Sequence, residues 1–263
     1  MDTGTLPPQH DYEGLSVLDE AALAWRREKV FLALAGLFLG TLAMLNIIGV
    51  SRFIDLSFRV PLIGWEVPMV VAIGVLPYPI TFLCTDFISE LYGRRRANAV
   101  VAVGFLINIW VALILWLGGL LPQPEGADSS AFLHIRTLTL GGVAASMIAY
   151  LAAQLVDVQL FHFWKRLTKG RHLWLRNNGS TLVSQLVDTT AVILIIYPMG
   201  ALPPVPGGET VAMHLIGLIA ASYVFKLVAA LIDTGPFYLG NHLLLRYLRL
   251  PPPTAPAPHG DSS

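Results

Sequence analysis

The chain has 263 residues, 55% of them hydrophobic and 13% charged, with a mean hydropathy of +0.64. A soluble domain carries roughly 25% charge, so this composition reads as a polytopic membrane protein. The 17 basic and 17 acidic residues cancel, which offers no basic face for a nucleic acid. The single cysteine, Cys84, excludes an intrachain disulfide, and no zinc-type spacing or nucleotide-binding glycine motif implies a cofactor.

Residues 1–29 contain acids and prolines without a long apolar core, so they do not read as a cleavable signal peptide. Met1 to Asp11 is polar and expected to be disordered. Leu15, Leu18, Ala22 and Trp25 then recur at helical spacing, which suits an interfacial helix or a solvated tail. A bilayer core about 30 Å thick needs about 20 apolar residues as a helix. On that ruler six spans emerge near 30–50, 67–90, 98–121, 139–164, 180–202 and 211–233. In the first, Gly36-x-x-x-Gly40 permits close helix contact, within the protein or between copies as a homo-oligomer. An amphipathic helix is expected from Phe237 to Arg249. The expected organisation is an N-terminal tail (1–29), a six-span all-α domain closed by that amphipathic helix (30–249) and a disordered tail (250–263).

Basic residues set the orientation. Arg26, Arg27 and Lys29 precede the first span, and Arg94, Arg95 and Arg96 follow the second. Lys165, Arg166, Lys169, Arg171 and Arg176 join the fourth to the fifth, and Arg246 and Arg249 follow the sixth. The alternate connections hold only Arg52, Arg59 and Arg136. The positive-inside rule therefore predicts both termini in the cytoplasm. Asn178-Gly179-Ser180 then falls on the cytoplasmic side, where it reads as a helix cap rather than a glycosylation acceptor.

Thr81 to Arg96, TFLCTDFISELYGRRR, concentrates the polar chemistry. Asp86 and Glu90 are four apart and share a helical face. Gly93 stands where a helix stops, and the arginines anchor the cytoplasmic end. Upstream, Pro77-Tyr78-Pro79 removes two backbone donors and should break or kink the second span. Ionisable groups recur at Asp157, Asp188, Lys226 and Asp233, and Gln154-Leu-Val-Asp157 is repeated as Gln185-Leu-Val-Asp188. At 1.5 Å per residue Asp157, Gln185 and Asp188 lie roughly 8–12 Å from the cytoplasmic end of their spans, and Asp86, Glu90, Lys226 and Asp233 fall in the same inner third. Such a layer would bind a polar solute or cation inside a helical bundle. Structural roles compete with that reading. Lys226 could snorkel or pair with a carboxylate, Glu90 could pair with Arg94, Asp233 could reach the interface, and the amides could be interhelical contacts. Asn46 and Asn108 suit either an entry path or such contacts.

The segments TDFISELYGRRRA (within 81–97), AQLVDVQLFHFWK (153–165), RHLWLRNNGST (171–181) and SQLVDTT (184–190) resemble the queuosine precursor transporter family, also called the vitamin uptake transporters. The resemblance runs from about Leu34 to Gly240. It implies a six-span, multi-pass protein of the bacterial inner membrane that imports 7-cyano-7-deazaguanine and its 7-aminomethyl relative, with queuine carried by some members. A guanine-like base offers N1–H and an exocyclic amine side by side, which a carboxylate can accept together. Asp188 or Glu90 would take that edge, Gln154 and Gln185 would frame the base, and Asp157 and Asp86 would lie nearby. Phe82 or Tyr78 would stack on the ring.

With no ATPase motif, import requires a solute or ion gradient, and buried carboxylates make protons one candidate through Asp86, Asp157 or Asp188. Facilitated diffusion with metabolic trapping is the rival. A second class is the substrate-binding membrane subunit of an energy-coupling-factor importer, which depends on separate ATPase partners. A third is an intramembrane hydrolase with an Asp157–Asp188 dyad, against which stand the flanking residues and the basic loop joining the two spans.

Overall fold

The computed structural model describes residues 6–59, 66–168 and 173–251; within them, the side chains at 66–67, 154, 157–158, 161–162, 165, 173–178 and 180–181 lie outside the description. The chain is mostly helical, as its composition requires. Six α-helices follow in order: α1 (Glu20–Ile48), α2 (Tyr78–Tyr92), α3 (Arg94–Gly118), α4 (Ser130–Leu167), α5 (Leu173–Ile196) and α6 (Val211–Leu248). Among the described residues, five helical stretches are long and apolar enough to cross a membrane: α1, α3, Ser130–Ala153 within α4, Leu182–Met199 across the end of α5, and α6.

The stretch expected as the second span has a different form. Between α1 and α2 the chain makes two nested antiparallel pairs: β1 (Phe53–Asp55) on β4 (Val70–Ala72), and β2 (Phe58–Arg59) on β3 (Glu66–Val67). A 3-10 turn at Ile73–Val75 leads to α2, whose 15 residues rise about 22 Å, short of a full hydrocarbon core. The two prolines account for the break. Pro77 precedes the helix and Pro79 sits in its first turn, where the missing N–H is not needed.

Three other expectations meet a different outcome. Periodic residues from Leu15 onward do not form a separate interfacial helix, because α1 starts at Glu20 and continues unbroken to Ile48. The span expected at 211–233 and the amphipathic helix expected from Phe237 are one 38-residue helix with Pro236 inside it. Asn178 and Ser180 do not cap the fifth span, since α5 already begins at Leu173.

The chain forms two compact units: Met1–Thr41, Pro79–Phe105 and Ala230–Ser263; and Leu42–Tyr78 with Leu106–Ala229. In the first, Phe87 stacks on Phe237 with centroids 5.4 Å apart, and a Cβ added at Gly240 would strike the Phe87 ring, so that glycine sets how closely α6 approaches α2. The Tyr92 hydroxyl donates to the Arg27 carbonyl at 2.8 Å, and Arg96 lies over the rings of Phe31 and Tyr92. In the second unit α4 packs along α5. There the Thr139 hydroxyl donates to the Ile47 carbonyl at 3.1 Å, and Asn46 Nδ2 donates to Asn108 Oδ1 at 2.9 Å. Asn46 and Asn108 are thus interhelical contacts between α1 and α3. Before α4, the Ser130 amide and hydroxyl hold the Asp128 carboxyl below the ordinary carboxylate range.

Gly93 ends α2 in the left-handed region, at φ 85°, whereas nothing lies within 4 Å of a Cβ built at Gly36. Gly93→Ala should therefore destabilise the detergent-solubilised protein by about 1 kcal/mol. Gly36→Ala should be neutral or slightly stabilising through its better helix propensity. Thermal unfolding of the two variants side by side checks both signs.

Candidate functional site

The most elaborated polar contact inside the apolar helices centres on Lys226 of α6. Its Nζ lies 2.9 Å from Asp188 Oδ2 and 3.1 Å from Thr189 Oγ1, both on α5. The Thr189 hydroxyl donates to the Gln185 carbonyl at 2.9 Å, which leaves its lone pairs facing the ammonium. Tyr78, the first residue of α2, covers a further side, with its ring centroid 5.1 Å from Nζ. A cation over a desolvated aromatic face gains about 1–2 kcal/mol. The side chains of Lys226 and Asp188 are 13% and 27% exposed. The ammonium is therefore largely enclosed, while about a quarter of the Asp188 side chain is left uncovered by protein. A further hydrogen bond, from the Tyr223 hydroxyl to the Leu182 carbonyl at 3.0 Å, also joins α6 to α5.

Local sequence explains this convergence. Thr189 follows Asp188 and stands one turn beyond Gln185, so one helical patch presents a carboxylate, a hydroxyl and an amide. Lys226 projects back along its own helix, toward the N-terminus, as helical side chains do. Tyr78 reaches the group because the proline break starts a new helix at that residue. Of the expected site residues, Tyr78 and Asp188 are brought together through Lys226, and Gln185 lies on the same patch, half-buried. Thr189 was missed; its signal was its position beside Asp188 in the second Gln-Leu-Val-Asp copy.

The side chains of Gln154 and Asp157 lie outside the described residues. Phe82, Asp86 and Glu90 belong to the other unit, and protein leaves all three exposed. Asp86 is near enough to Asp233 of α6 to interact with it electrostatically. The i,i+4 partnership of Glu90 with Arg94 is not formed, because Gly93 ends α2 between them and breaks the helical register. Glu28 is instead the acid beside the arginine run, at 4.0 Å from Arg96. No group of three or more metal-ligating side chains occurs among the described residues.

Lys226→Met should leave Asp188 without its counter-charge. Full burial would make this cost about 3–5 kcal/mol; with Asp188 27% exposed the expected loss is about 1–3 kcal/mol. Adding Asp188→Asn should recover most of it. Thermal unfolding of the single and double variants measures the coupling, and additive losses would show that the pair is not acting as one.

Residues 72–240 match the family described as "Putative vitamin uptake transporter". The "Probable queuosine precursor transporter" of Bacillus subtilis (strain 168) is 34% identical over 183 residues, covering 65% of this chain and 72% of that protein. The "Queuosine precursor transporter" of Escherichia coli (strain K12) is 27% identical over 179 residues, covering 66% and 74%. No solved structure matches the chain. With its apolar helices and a family match that spans the helices carrying Tyr78, Asp188 and Lys226, the chain belongs to the vitamin uptake transporter family: it is a multi-pass bacterial membrane protein that works as a transporter, not an enzyme.

Proposed function

We propose that this chain imports queuosine precursors, 7-cyano-7-deazaguanine and its 7-aminomethyl relative, and that Asp188 receives the base. In this reading the short α2, with the residues just before it, serves as a broken second span beside the five long stretches, which keeps six spans with both termini in the cytoplasm. The names of the relatives supply the substrate class. The observation that carries the chemistry is the enclosed Lys226–Asp188 pair. An ionised carboxylate has about four lone-pair sites, so Asp188 can keep Lys226 on Oδ2 while accepting N1–H and the exocyclic amine of a guanine-like edge. Both contacts are charge-assisted and hence among the stronger hydrogen bonds.

The repeat supports a second wall. Gln154 and Asp188 are equidistant from position 171, as are Asp157 and Gln185. Because α4 packs along α5, an antiparallel pairing about that position would bring Gln154 level with Asp188 and Asp157 level with Gln185. A planar base would then meet an amide and a carboxylate from each helix. Tyr78 would stack on it, and Phe82, Asp86 and Glu90 would contact the solute elsewhere on its path. Lys226 already supplies a counter-charge to Asp188, so proton coupling falls to Asp157 or to Asp86, whose electrostatic neighbour is a second carboxylate, Asp233.

The test is uptake of labelled 7-cyano-7-deazaguanine by cells lacking their own importer and expressing this chain. Unlabelled substrate should compete, with guanine and biotin competing poorly. Asp188→Asn should lower the apparent affinity about tenfold or more, the weight of a charge-assisted hydrogen bond. A protonophore should abolish accumulation, and one of Asp86→Asn and Asp157→Asn should spare exchange while abolishing accumulation. Equal, feeble responses to all the bases would remove the substrate assignment, and concentrative uptake indifferent to the proton gradient would remove the coupling.

A further inference from the structure

Where α6 ends, the protein keeps two guanidinium groups out of solvent with no acidic partner among the described residues. Arg27 is 8% exposed and Arg249 is 5% exposed. Arg27 is fully engaged: Nε donates to the Leu248 carbonyl at 3.0 Å, Nη2 to the Arg249 carbonyl at 3.2 Å and Nη1 to the Pro7 carbonyl at 2.8 Å. It caps the negative end of the helix, a favourable place for a cation. Arg249 differs. Its Nη2 donates to the Ser16 carbonyl at 2.8 Å, but Nε and Nη1 are buried with no hydrogen-bond partner among the described residues. Unpaired buried donors on a full charge are rare because their lost hydration is not replaced.

The backbone gives an independent sign. Arg249 has φ 55°, the only positive value at a described residue other than glycine. The Leu250 amide donates back to the Leu245 carbonyl at 3.0 Å, so Arg249 occupies the left-handed position of a Schellman-type helix end. Glycine or asparagine is usual there. A long charged side chain held in that conformation, with two donors idle, points to a partner for the guanidinium. Over this end lies the N-terminal segment. The His10 amide donates to the Arg249 carbonyl at 2.9 Å and the Tyr12 hydroxyl to the Leu250 carbonyl at 2.7 Å. Ser16 supplies the one acceptor that Arg249 has among the described residues.

We propose that Arg249, with Arg27 beside it, forms a site for a phosphate group, and that residues 7–16 are a strap whose carbonyls occupy the site until the anion displaces them. Withdrawal of Ser16 frees the Nε–Nη2 edge of Arg249, a planar fork that can hold two phosphate oxygens in parallel. Withdrawal of Pro7 frees Arg27 Nη1 for a third contact. Arg26, Lys29 and Arg246 add positive charge along the same helix ends, as in basic pockets that take anionic headgroups at a membrane surface. The source is a lipid headgroup or free phosphate. The site lies outside the 72–240 family match and is independent of the deazaguanine reading.

Native mass spectrometry of the full chain, loaded with phosphatidylglycerol or phosphatidylcholine, tests the lipid source; thermal unfolding with inorganic phosphate tests the free one. Selective retention of phosphatidylglycerol, or a rise in melting temperature with phosphate, is expected of the wild type. Arg249→Gln should weaken the response about tenfold, and Arg249→Lys should fall between the two. Removal of residues 7–16 should strengthen it. Arg95→Gln, an exposed arginine away from this helix end, should stay within about twofold of wild type. Retention by lipid alone identifies a headgroup, and a response to phosphate alone identifies the free anion. No response in either arm, or an Arg95→Gln loss equal to that of Arg249→Gln, would overturn the proposal.

Discussion

A lysine carried into a bilayer by an apolar helix loses its hydration, at a cost of several kcal/mol, and has to recover that energy from a counter-charge or a polar shell. Lys226 recovers it on α5, from Asp188 at 2.9 Å and Thr189 at 3.1 Å, and from the face of Tyr78. The rotational settings of α5 and α6 follow from that contact, because either helix turned away would strand a charge. The position of Tyr78 follows as well. The proline break before it makes it the first residue of a new helix, free to take an orientation that a continuous span would not give it.

The pair is not explained by stability. Apolar residues of similar volume often replace a buried ion pair at no loss, or with a gain. Two charges kept within apolar helices are what the proposed recognition of a polar solute by Asp188 would explain, since that side chain is not fully covered by protein. A guanine-like base matches that need with two adjacent donors. Arg249 poses a similar question at the other end of α6, where packing does not explain idle donors or a left-handed backbone.

Much of this organisation was legible in the residues. Hydropathy located the long helices, Gly93 marked the end of α2, and Pro77 with Pro79 marked its beginning. The repeated Gln-Leu-Val-Asp drew attention to Asp188. What stayed hidden depends on distant partners. Lys226 had several carboxylates within sequence-level reach, and only the packing of α6 on α5 selects one. The span expected at 211–233 and the helix expected from Phe237 are continuous through Pro236, since transmembrane helices tolerate proline when neighbours satisfy the freed carbonyl. The polar composition of Met1 to Asp11 suggested disorder, yet the His10 amide bonds to the Arg249 carbonyl, and Tyr12 and Ser16 just beyond it bond to the same distant helix end. The strand pairs between α1 and α2 are too short to leave a clear period-two pattern.

The most direct test is equilibrium binding of 7-cyano-7-deazaguanine to the purified chain, with wild type compared against the Asp188→Asn/Lys226→Met double variant. The account predicts that the double variant, its charge removed in balance, stays folded and monodisperse while losing measurable affinity for the base. Wild-type affinity in a folded double variant would contradict it, and would move the binding site away from the α5–α6 pair.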